Sequence, residues 1–75
     1  MDAMQFLRLI FLDENVKDVR ISIKSGNHIN VWNPEIIEDV SDRMEANGYT
    51  KLTLLSMNIK EGVGRNSVLL ECRAE

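Results

Sequence analysis

The chain of 75 residues contains one cysteine, one histidine, one proline and four aromatic residues. Because Cys72 is the sole cysteine, no disulfide can form within the chain, and a structural Cys/His metal site has too few ligands. A domain this short buries only about 60% of the surface that its unfolded chain exposes. We therefore expect residues 1–75 to form a single small domain, stabilised by an apolar core or by oligomerisation.

The sequence also lacks a long hydrophobic run and a cationic N-terminus. Its longest apolar run is Leu9 to Leu12, which is far shorter than a membrane span. The first residues include Asp2 and no lysine or arginine, unlike a secretory signal. These features predict a cytoplasmic protein with no membrane partner.

Positive charge is scarce as well, since twelve acids against nine bases give a net charge of −3. This balance excludes a strongly cationic nucleic-acid binder, although a local basic patch is compatible with it. Hydrophobic residues make up 44% of the chain, enough for a packed core and too many for a disordered protein.

One amphipathic helix is indicated between residues 34 and 47. Asn33 can cap it, Pro34 suits the first helical position, and Gly48 can supply the left-handed residue that ends it. Its apolar stripe consists of Ile36, Ile37, Val40 and Met44.

Two hairpins flank this helix, because apolar residues alternate on both sides of it. In the first, a three-residue loop over 25–27 would pair Ile23 with Ile29 and Ile21 with Val31 on the buried side. That register places Arg20 and Trp32 together on the outer side. In the second hairpin, a turn over 62–65 directs two apolar sets inward: Leu55, Met57 and Ile59, and Val68, Leu70 and Cys72.

The N-terminal segment is compatible with a helix or a strand. Asp2 and Gln5 form a capping-box pattern, and the residues that follow are good helix formers. A strand over residues 4–12 would set Arg8 opposite Arg20, which is unfavourable. The prediction is a two-layer α+β domain of order α-β-β-α-β-β, an antiparallel sheet with helices on one face. The alternative is β-β-β-α-β-β.

The predicted helix carries most of the acidic charge. Residues 33–47 hold five acids and one base, a charge of −4, whereas the rest of the chain sums to +1. A solvated outer face is the simplest explanation. The functional interpretation is a docking face for a basic protein partner, formed by Glu35, Glu38, Asp39, Asp42 and Glu45.

The outer sheet face suggests two other functions. The side chains of Arg20, Lys24, Trp32 and Arg73, with Lys60 nearby, could bind single-stranded nucleic acid, although a single aromatic residue is little for a stacking platform. Alternatively, a homodimer with a structural role would cover an apolar patch of Trp32, Leu54 and Leu69, or pair along a free edge strand.

Catalytic, cofactor and metal sites are not predicted. His28 and Cys72 are not paired by any local motif, and the Gly62-x-Gly64 pattern precedes a strand rather than a phosphate-binding helix. We expect a non-enzymatic protein-interaction module. By analogy with compact acidic phage and prophage proteins, it would be a small accessory or inhibitory subunit.

Overall fold

Two helices and four strands follow one another in the part of the chain that the computed structural model describes, residues 3–75. Their bounds are α1 (Ala3–Leu12), β1 (Val16–Ser25), β2 (His28–Trp32), α2 (Ile37–Ala46), β3 (Leu52–Glu61) and β4 (Asn66–Ala74). The predicted α+β class and the order α-β-β-α-β-β are confirmed, and the alternative strand over residues 4–12 is wrong. The predicted N-cap of α1, Asp2, lies outside the described residues.

The four strands form one sheet in the order β2-β1-β4-β3. Each hairpin pairs antiparallel, but the two central strands, β1 and β4, run parallel. The prediction of a purely antiparallel sheet is therefore wrong at the centre. The reason is α2, which reverses the chain between β2 and β3, so that β3 runs in the direction of β2 and β4 in the direction of β1.

The first hairpin has a tighter turn than predicted. Its loop holds two residues, and the register pairs Ile21 with Trp32 and Ile23 with Asn30. Gly26 has φ +57°, and a glycine at the first central position is typical of a two-residue hairpin turn. This register places Trp32, with its large apolar area, on the helix-covered side. Ile29 and Val31 lie on the opposite side instead, 63% and 56% exposed.

The second hairpin has the predicted turn over residues 62–65, and Met57 pairs with Leu70 and Ile59 with Val68 as expected. A bulge between Leu54 and Ser56 shifts the register. Leu54 therefore takes the inner place opposite Cys72. Leu55, which was predicted to point inward, is the extra residue of the bulge and is 51% exposed.

The core lies between the sheet and the two helices. Its buried members come from five of the six elements and from neither turn: Ala3, Leu7, Val19, Ile21, Ile23, Val40, Met44, Leu52, Val68, Leu70, Cys72 and Ala74.

The helix layer covers the sheet unevenly. At one corner Met4 of α1 lies beside Met44 and Leu52, whereas at the other end Phe11 lies beside Val16 and Pro34. The helix α1 therefore crosses the sheet from the start of β3 to the start of β1. Because α1 leaves the far end of β3 uncovered, the inward-facing apolar side chains of that strand remain partly exposed.

The helix α2 begins later than predicted but ends where expected. Ile36 has an extended backbone (φ −135°, ψ 160°). Asn33 and Pro34 therefore belong to the connection between the sheet and the helix layer. At the other end Gly48 has φ +71°. The N–H of Tyr49 donates to the Met44 carbonyl at 2.9 Å, which completes a Schellman-type end.

The register of the first hairpin can be tested with two matched substitutions. Ile21→Val removes a methylene group from the core and should cost about 1 kcal/mol of unfolding free energy. Ile29→Val removes the same group from an exposed position and should cost less than about 0.5 kcal/mol. Urea unfolding followed by circular dichroism measures both. Equal losses would contradict the observed register.

Candidate functional site

The five predicted carboxylates form a continuous acidic face on α2 and the residues just before it. All are exposed, and the helix turns them away from the buried side chains of Val40 and Met44. In the part of the chain that the structure describes, none of them makes an ion pair. We call this set the acidic face: Glu35, Glu38, Asp39, Asp42 and Glu45.

One member of the acidic face has a structural role. The Oδ2 of Asp39 accepts hydrogen bonds from the backbone N–H groups of Glu35 at 3.2 Å and Ile36 at 3.5 Å. Helix N-termini leave such N–H groups without partners, and a nearby negative charge also suits the helix dipole. Asp39 therefore stabilises the start of α2, and the other four carboxylates have no such bond within residues 3–75.

Arg43, the only base of α2, is held against Trp32. The guanidinium carbon lies 4.0 Å from the ring centroid, which is a cation–π contact. The predicted contact of Trp32 with Arg20 is wrong, because Arg20 belongs to the opposite side of the sheet. Sequence reasoning missed Arg43 since the wrong hairpin register placed Trp32 outside. The short connection from β2 to α2 is the signal that could have identified the pair.

An open groove runs between the end of β2 and the exposed side of α2. It brings two carboxylates of the acidic face, Asp39 and Asp42, beside the indole of Trp32. We call it the Trp32 groove, lined by Asn30, Trp32, Asn33, Pro34, Asp39, Asp42, Arg43, Ala46 and Asn47. It combines negative charge, amide groups and an aromatic ring, which are groups that can bind a cationic side chain.

The outer sheet face has the predicted cations but no aromatic residue. The registers place Arg20, Lys24, Lys60 and Arg73 on this side, with Lys24 directly opposite Arg73. All four aromatic side chains of the protein pack against the core instead: Phe6, Phe11, Trp32 and Tyr49. The prediction that Trp32 stands among these cations is therefore wrong.

The apolar patch predicted for a dimer is not formed either. Trp32 and Leu54 are packed against the core on the helix-covered side. Of the three residues proposed for that patch, Leu69 alone lies on the outer face, opposite Arg20.

The one histidine and the one cysteine of the chain are not brought together. His28 is exposed at the start of β2, while Cys72 is buried in β4, and β1 separates the two strands. Burial raises the pKa of the Cys72 thiol to about 11. Within residues 3–75, no group of three or more His, Cys, Asp or Glu side chains could hold a metal ion.

Neither described helix has the length and apolar character needed to cross a membrane. Comparison with known protein families finds no model that matches the chain. Searches of curated proteins and of solved structures find no significant match either.

The Trp32–Arg43 contact can be tested by fluorescence, since Trp32 is the only tryptophan. Arg43→Gln removes the cation above the ring, so we expect emission to shift to longer wavelength and unfolding free energy to fall by about 0.5–1 kcal/mol. Arg20→Gln is the matched control and should leave the emission unchanged. The opposite result would restore the pairing of Trp32 with Arg20.

The burial of Cys72 can be tested by thiol labelling. A pKa near 11 instead of 9 leaves about 100-fold less thiolate at pH 8 than an unperturbed cysteine has. We expect very slow labelling by an aromatic disulfide reagent at pH 8, accelerating as the pH approaches 11 or when urea unfolds the chain. Ser56→Cys in a Cys72→Ala background, an exposed control, should label fast. Equal rates for the two thiols would refute the buried placement.

Proposed function

We propose that the chain is a non-enzymatic protein-interaction module that binds a basic partner through the acidic face, as a small accessory or inhibitory subunit. The observation that carries this proposal is the Trp32 groove. There Asp39 and Asp42 stand beside an aromatic ring, while the only base of α2 is engaged with that ring rather than with a carboxylate.

The distribution of charge favours a partner of opposite sign. Exposed carboxylates without ion pairs are not neutralised by neighbouring bases, and their combined field accelerates the approach of a basic protein. The Trp32 groove adds short-range contacts, because a lysine or arginine of the partner can pair with Asp42 while Arg43 stays over the Trp32 ring. Long-range attraction and a shaped contact would then act at the same surface.

Nucleic acid is a less well supported ligand. The outer face holds four cations, and two of them are adjacent across β1 and β4. It provides no ring on which a base could stack, however, and base–aromatic stacking is a major part of single-strand binding. The acidic face would also repel a phosphate backbone.

The proposal can be tested with a triple variant that removes three of the five charges of the acidic face without disturbing the start of α2. Glu38→Gln, Asp42→Asn and Glu45→Gln remove three charges and leave Asp39 in place. A partner is first captured with the wild-type protein and purified, and its binding is then measured by calorimetry. We expect the triple variant to bind at least about tenfold more weakly, and wild-type binding to weaken as salt rises.

The control removes the same charge from the sheet. Asp18→Asn, Glu61→Gln and Glu71→Gln also change the net charge from −3 to 0, and this variant should keep most of the affinity. Equal weakening of both variants would indicate a general charge effect and no specific site. Unchanged binding of the acidic-face variant would refute the proposal.

A further inference from the structure

The strand β3 forms a long open edge of the sheet. It is the last strand in the order β2-β1-β4-β3, and no other described strand pairs with its outer side. It spans ten residues, twice the length of β2 at the opposite edge. Residues 55–61 are all exposed. An edge of this kind presents a row of backbone donors and acceptors that another strand can pair with.

This edge also lacks most of the features that prevent strands from pairing. Residues 52–59 contain no charged residue, no proline and no glycine, and these are common protections of natural edges. The bulge between Leu54 and Ser56 interrupts the strand near its start. Regular pairing with β4 resumes at Ser56, just after the bulged Leu55, and the charged residues Lys60 and Glu61 lie at the other end of the strand.

An uncovered apolar corner lies beside this edge on the helix side. Met57 and Ile59 face inward opposite Leu70 and Val68, yet they remain 38% and 56% exposed. The cause is the diagonal path of α1, which leaves this end of β3 without a helix above it. Burying such a corner would remove apolar surface from water, which favours association.

The edge sequence is complementary to itself. Residues 55–59 read Leu-Ser-Met-Asn-Ile, an apolar–polar pattern that is the same in both directions around Met57. In an antiparallel pair centred there, each Ile59 falls opposite a Leu55, and each Asn58 falls opposite a Ser56. Within these five residues no like charges face each other, and cross-strand pairs of this kind stabilise a sheet.

We propose that β3 pairs antiparallel with β3 of a second copy of this chain, with the two Met57 residues opposite each other on the two-fold axis. The product is a continuous eight-stranded sheet with an isologous interface, in which the same patch serves both subunits. The axis is perpendicular to the sheet, so both helix layers lie on the same side. The two apolar corners therefore meet above the joined strands, and this inference does not depend on the acidic face.

The pairing is tested by sedimentation over a range of protein concentrations. Wild-type protein should sediment as a dimer that dissociates on dilution. Met57→Lys and Met57→Glu each place two like charges opposite each other on the axis, so each variant alone should be monomeric where the wild type is dimeric. An equimolar mixture of the two should form a heterodimer, because opposite charges then meet. This mixing result requires that Met57 lies across from Met57.

A matched pair of substitutions separates this edge from the other. Ile59→Lys should raise the dimer dissociation constant by about tenfold or more, since it brings a lysine into the interface. Ile29→Lys makes the same change at an equally exposed isoleucine on β2 and should leave the dimer intact. Circular dichroism checks that each variant is folded. If a Met57 variant is unfolded, the comparison of Ile59→Lys with Ile29→Lys decides whether the β3 edge forms the dimer.

Three results would overturn the proposal. The first is a wild-type protein that remains monomeric at several hundred micromolar, which would leave the β3 edge to another protein or to solvent. The second is a dimer that Ile29→Lys dissociates and Ile59→Lys does not. The third is a mixture of Met57→Lys and Met57→Glu that stays monomeric while the wild type dimerises.

Discussion

The parallel pairing of β1 with β4 is the interaction on which the rest of the structure depends. It brings residues 16–24 next to residues 66–73, and it places Ile21 opposite Leu70, both fully buried. Each of these strands carries a partner on its other side, so the pairing joins two hairpins into one sheet. Without it neither hairpin would have an apolar surface large enough to hold a helix, since isolated hairpins are marginal in water.

The features that could be predicted from the sequence are those that neighbouring residues determine. Alternating apolar residues correctly predicted the positions of both hairpins, and Gly48 predicted the end of α2. The central pairing could not be predicted, because it joins strands about fifty residues apart and depends on the direction in which α2 returns the chain. The predicted register of the first hairpin was wrong for another reason. The number of apolar residues on each face favoured a three-residue loop, whereas the two-residue turn with Gly26 at φ +57° sets the observed pairing.

The candidate site also has one part that neighbouring residues determine and one part that tertiary structure determines. The acidic face follows from helical periodicity alone, because Val40 and Met44 must be buried and the carboxylates between them must then be exposed. The Trp32 groove required tertiary knowledge, since it forms where the end of a strand meets the following helix. The structural role of Asp39 was hidden by the predicted start of the helix, which lay three residues too early.

The two helices cover less of the sheet than their number suggests. Ten-residue helices span about 15 Å at 1.5 Å per residue, while the ten-residue strands β1 and β3 span about 33 Å at 3.3 Å per residue. A helix of this length that crosses such a sheet on the diagonal must leave one corner of the sheet uncovered. The exposed C-terminal end of β3 thus follows from element lengths, and the chain has no third helix within residues 3–75 to cover it.

The central position of β4 has a consequence for biosynthesis. A nascent chain that has emerged only as far as β3 holds both helices and three strands, but the middle of its sheet is missing. Val19, Ile21 and Ile23 then line an open strand edge, and α1 has no continuous surface to pack on. The sheet can therefore close only after almost all of residues 3–75 have left the ribosome, and a chain stalled before β4 would expose apolar surface to chaperones and proteases.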